Sequence, residues 1–98
     1  TYRHPKCMHV YHQYSLTPAV HMDRAALQAK LKDAGIPSMI YYPVPCHQQA
    51  AMKPYVPAGL QLAVSETLAQ RVLSLPIHTE MTDEMIHYIV SKVNEYTQ

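Results

Sequence analysis

A chain of 98 residues makes one domain, and its 48% apolar content fits a packed core, not a disordered segment. Eight Lys and Arg against seven Asp and Glu leave a net charge of +1 with no basic run, which removes the electrostatic reason to expect nucleic acid. No stretch approaches the roughly 18 apolar residues of a membrane span. Two cysteines, Cys7 and Cys46, set out no disulfide framework, so both are expected as reduced thiols of a cytoplasmic protein.

Residues 8–16 alternate, with Met8, Val10, His12, Tyr14 and Leu16 on one face and His9, Tyr11, Gln13 and Ser15 on the other. This pattern predicts a strand that ends before Pro18. Asp23 is placed to cap a helix whose buried stripe is Leu27, Leu31 and Ala34 and whose left-handed terminator is Gly35. Ile36 through Tyr42 read as a second strand bounded by Pro43. Residues 46–53 read as one or two helical turns stopped near Pro54, and Pro54, Pro57 and Gly59 mark a loop. Helix resumes from about Val64 to Val72, burying Leu68, Ala69 and Val72, and Leu73–Leu75 make a third short strand before Pro76. Thr82 caps the last helix, Asp83 and Glu84 suit the positive end of its dipole, and Met85, Ile86, Ile89, Val90 and Val93 form its apolar face. The expected fold class is α+β: a small three-stranded sheet with helices mainly on one face.

The segment 35–49, Gly-Ile-Pro-Ser-Met-Ile-Tyr-Tyr-Pro-Val-Pro-Cys-His-Gln-Gln, is the most informative. Pro43 and Pro45 fix φ and supply no backbone donor, so they force a stiff extended path that delivers Cys46, His47 and Gln48 at its end. This stretch resembles the signature of the small C-terminal domain of DegT-type sugar-nucleotide aminotransferases, pyridoxal-phosphate enzymes of the aspartate aminotransferase fold. Residues 8–16 resemble the strand that opens that domain, and residues 71–90 resemble its closing Leu-Ser-Leu-Pro element and last helix. The three pieces occur in family order and cover nearly the whole chain.

The resemblance implies a largely antiparallel sheet. It makes residues 1–98 one domain, a C-terminal fragment of a larger enzyme whose cofactor-binding domain is absent; a first residue of Thr1 rather than Met agrees with a piece. The parent is then expected to carry pyridoxal phosphate, to form a homodimer with shared sites, and to move an amino group from glutamate to a keto sugar on a nucleoside diphosphate. The histidine-rich start at residues 9–14 leans toward relatives acting on UDP-linked 3-keto sugars or uronates. Some family members are dehydratases, and the missing region decides between the two.

The fragment itself offers no catalytic residue. Lys30, Lys32 and Lys92 fall on helix surfaces, Lys6 and Lys53 in no motif, and two glycines cannot make a phosphate loop. No cofactor is therefore expected on it. The substrate-side candidates implied by the resemblance are His47, Tyr42 and Gln48: an imidazole able to donate to a diphosphate or sugar oxygen, a phenol able to bond or stack, and an amide. His9, Tyr11 and His12 form a weaker cluster. His4, Cys7, His9 and His12 are dense enough to suggest zinc, but on an extended strand Cys7 and His9 point opposite to His12, so no metal site is expected. The alternative class is a stand-alone, non-catalytic ligand-binding or dimerisation module.

Overall fold

The computed structural model describes residues 4–98. Helix α1, Arg24–Asp33, forms where the pattern places it. The Asp23 carboxylate accepts the amides of Ala25 at 2.8 Å and Ala26 at 3.3 Å, which satisfies two of the free donors of the first turn. At the other end Gly35 turns to φ +73°, Ile36 N–H bonds Leu31 C=O at 2.8 Å, and Gly35 N–H bonds Lys32 C=O at 2.9 Å. These are the paired bonds of a Schellman stop, and the stop folds Ile36 back onto Leu31 in the core.

Strands β1 (Tyr14–Leu16) and β2 (Leu73–Leu75) pair antiparallel, with Tyr14 opposite Leu75, Ser15 opposite Ser74 and Leu16 opposite Leu73. Helix α2 (Ala63–Arg71) leads into β2, and α3 (Asp83–Thr97) closes the chain with Thr82 Oγ1 accepting the Met85 amide at 3.2 Å. The core is Leu27, Leu31, Ile36 and Leu73, flanked by Leu75 and by Ile89, Val93 and Tyr96 of α3. Arg24 ties the start of α1 to the end of α2, donating to Ala69 C=O at 2.7 Å. Among the described residues no helix is long and apolar enough to cross a membrane.

Three expectations need correction. The sheet has two strands, not three: residues 36–42 contribute a single bridge, in which Met39 and Ser74 exchange bonds of 3.0 and 2.7 Å. Pro37 has no N–H for a ladder and the Ser38 carbonyl is taken by Gln28 Nε2 at 3.0 Å, so pairing stops on that side; Pro43 ends the stretch on the other. The first strand begins at Tyr14, not Met8. His9 Nδ1 accepts the Tyr11 amide at 2.8 Å and Tyr11 sits at φ +48°, so local side-chain bonding replaces the ladder. Met8 and Val10 are consequently exposed. Finally, Leu68 is exposed where burial was expected, because only Ala69 of α2 reaches the interior. Met85, Ile86 and Val90 of the α3 apolar face are exposed as well.

With so small a core, single truncations are felt. Leu31→Ala should cost about 3 kcal/mol by transfer and cavity terms. Gly35→Ala should cost about 1 kcal/mol, because a Cβ there meets nothing within 4 Å and only the left-handed backbone is penalised. Urea unfolding of both variants checks the order; a Gly35→Ala protein as stable as the parent would contradict the Schellman assignment.

Candidate functional site

Of the two prolines Pro45 is extended as read, whereas residues 43–44 form a bend. After Pro45, at φ −57° and ψ 146°, the chain tightens into a 3₁₀ turn, Cys46–Gln48, with Gln48 N–H bonded to Pro45 C=O at 2.9 Å. A second 3₁₀ stretch, Ala50–Tyr55, follows and contains Pro54. His47 stands in the middle of the first turn and is carried against the N-terminus of α2.

There it meets Glu66. His47 Nε2 lies 2.9 Å from Glu66 Oε1, and the same oxygen accepts the amide of Leu62, the N-cap residue of α2, at 2.9 Å. The imidazole side chain is 8% exposed and the carboxylate 28%, so the pair is shielded on the ring side and wetter on the carboxylate side. The Leu62 amide, and after it the hydrogen bond from His47, hold the Glu66 carboxyl below its usual range near 4.5 against a smaller opposing effect of desolvation; Gln48 adds to the lowering. The three hydrogen bonds favour the ionised form, as does the positive end of the helix.

A groove of about 510 Å³ opens beside this pair. It is mostly apolar, lined by Tyr41, Tyr42, Val44, His47, Met52 and Leu68 among others. Tyr42 is two-thirds exposed, and its ring meets Tyr41 edge-on at 5.6 Å. Two of the substrate-side candidates, Tyr42 and His47, therefore share one groove. Gln48 does not line it; its side chain is exposed and adds only the smallest of the effects that lower the Glu66 carboxyl. His12 lines a separate groove of about 330 Å³ with Tyr41 and His78, whereas His9 and Tyr11 are in ring contact at 4.2 Å outside both. Among the described residues no three His, Cys, Asp or Glu side chains converge as metal ligands.

Glu66 was not singled out from the sequence. Its acidic side chain in the first turn of a helix was a readable capping signal, but its partnership with a histidine 19 positions earlier depends on the tertiary fold.

The DegT/DnrJ/EryC1/StrS aminotransferase family profile matches residues 1–94, and the chain belongs to that family. It is 39% identical over 88 residues to a pleiotropic regulatory protein of Geobacillus stearothermophilus, covering 90% of this chain and 23% of that one. It is 39% identical over 85 residues to a UDP-N-acetyl-3-dehydro-alpha-D-glucosamine 3-aminotransferase of Acidithiobacillus ferrooxidans, covering 87% and 22%. The crystal structure of a DegT DnrJ EryC1 StrS aminotransferase from Brucella abortus superposes with a TM-score of 0.75 at 39% identity, again over 87% of this chain and 22% of the other. The chain thus spans less than a quarter of the length of these relatives.

Family membership implies pyridoxal phosphate, and the described residues do not fit it. None of the five lysines lines the groove beside His47; Lys92 is engaged with Glu95 at 2.8 Å, and Lys30 and Lys32 are exposed on α1.

The lowered Glu66 titration has a definite sign. Stabilisation from the pair is complete above the ordinary carboxylate value near 4.5 and is lost as pH falls through the lowered folded value. Following the Leu62 amide by NMR in acid should give a midpoint below 4.5 that disappears in Glu66→Gln. A midpoint at or above that value would contradict the shared-carboxylate geometry.

Proposed function

We propose that this chain is the C-terminal small domain of a longer sugar-nucleotide aminotransferase of the aspartate aminotransferase fold, and that it forms the substrate side of the active site. The observation that carries the reading is the placement of Tyr42 and His47 along one groove, on an arm stiffened by Pro43 and Pro45 and pinned by Glu66. In this reading Tyr42 stacks or bonds the sugar nucleotide and His47 meets a polar group on it. The remainder of the enzyme, beyond this chain, supplies pyridoxal phosphate and the lysine that anchors it, and glutamate supplies the amino group. The names of the relatives support a nucleotide-linked 3-keto sugar, with UDP the preferred carrier. The complete enzyme works as a cytoplasmic homodimer. The stand-alone, non-catalytic module is not favoured by the family match.

The experiment is kinetic, on the intact enzyme with a panel of UDP- and dTDP-linked 3-keto sugars. His47→Ala should raise KM for the preferred sugar roughly five- to tenfold, the loss of about one hydrogen bond, with a much smaller change in kcat. An unchanged KM would remove His47 from the site. Separately, the 98-residue chain mixed with pyridoxal phosphate should develop no visible absorbance band of bound cofactor; such a band would overturn the assignment of the cofactor site to the rest of the enzyme.

A further inference from the structure

The carboxylate of Glu66 does more than hold an arm in place. An ionised carboxylate can only accept hydrogen bonds. Its Oε1 lies 2.9 Å from His47 Nε2, so whichever protonation state the ring has, the proton on Nε2 must be present for that contact to be a bond. In the neutral imidazole this leaves Nδ1 without a proton. No other hydrogen bond to the His47 ring is found among the described residues, so Nδ1 is the ring nitrogen still available.

We propose that Glu66 is a positioning residue that fixes His47 in the Nε2–H tautomer, so that the neutral ring meets a ligand in the groove as an acceptor at Nδ1. This rests on the reading of His47 as a substrate-side residue and sharpens it. A neutral His47 cannot donate to a diphosphate oxygen, because its one N–H is spent on Glu66. The ligand group it meets is a donor, a sugar hydroxyl or an amide N–H. Specificity at this point of the groove is for a hydrogen-bond donor, and a ligand that presents only acceptor oxygens there leaves Nδ1 unsatisfied and is disfavoured.

Both bonds fall on the one oxygen, so Glu66→Gln, whose amide oxygen can take that place, is the conservative variant, and Glu66→Lys, which sets only donors opposite Nε2, is the discriminating one. Heteronuclear spectra of the histidine side chains in the intact enzyme, at a pH where the ring is neutral, read the tautomer directly. The expected result is Nε2–H for His47 in the parent and in Glu66→Gln, with KM for UDP-N-acetyl-3-dehydroglucosamine near the parent value, and a shift toward Nδ1–H in Glu66→Lys, with KM raised roughly fivefold and kcat changed less. An Nδ1–H parent ring, or a Glu66→Lys ring identical to the parent, overturns the role of Glu66 and leaves the His47 reading standing. A changed tautomer with unchanged KM overturns the His47 reading itself. If Glu66→Lys does not fold, the tautomers of the parent and of Glu66→Gln decide.

Discussion

One carboxylate oxygen joins two parts of this molecule. Glu66 Oε1 closes the start of α2 through the Leu62 amide and holds the His47 ring that ends the proline arm. A bond to a helix N-terminal amide gains from the helix dipole, and a bond to a shielded imidazole gains from low local dielectric. Both favour the ionised carboxylate, so each strengthens the other. The wall of the groove between the arm and α2 follows from this contact: the arm sits against the helix because its histidine is fastened there, and the space left between Tyr42, Met52 and Leu68 is the groove.

The interior that supports this arrangement is thin. Five hydrophobic side chains are buried among the described residues, four of them clustered between α1, β2 and the turn after α1. Two devices compensate. Ser74 is buried in the middle of β2 with its backbone bonded to Met39 and its hydroxyl bonded to that of Ser15 at 2.8 Å, so the strand is fixed from both edges. Arg24 and Arg71 join the α1 and α2 regions by bonding carbonyls far away in sequence, at Ala69 and at Pro18. These are charged donors to neutral acceptors, stronger than a typical backbone pair. Large apolar side chains nevertheless stay uncovered at Met8 and Val10 and along α3 at Met85, Ile86 and Val90.

What was legible in the sequence was local. Asp23, Gly35 and Thr82 each act within a few residues, and each does what its type and position dictate. The stripe of Leu27 and Leu31 was readable for the same reason: helical period converts spacing into a face. The strands were harder. Three residues of β1 carry too short an alternation to separate from the six preceding residues, and what excludes those six is a histidine bonding an amide two positions on, which alternation cannot reveal. The absent third strand turns on a glutamine side chain of α1 capturing the Ser38 carbonyl, a contact between elements. In the site, His47 and Tyr42 were marked by the proline arm and the family pattern, whereas Glu66 acquires its role only once α2 is folded beside the arm.

The arm itself shows how a shallow core can still present an ordered site. Pro43, Pro45, Pro54 and Pro57 all lie within the segment that carries Tyr42 and His47 toward α2. Each fixes one backbone angle before folding, so the unfolded chain has fewer states to lose, and the same restriction limits what a ligand must order on binding. A glycine-rich segment of equal length would need a broader apolar base to hold the same geometry. Here the base is narrow, Val44, Met52 and Leu68 remain partly open to solvent, and the definition of the groove comes instead from covalent stiffness at one end and a charge-assisted bond at the other. Orientation by these two means does not depend on deep burial, and it leaves the apolar side chains of the groove free to meet something other than their own core.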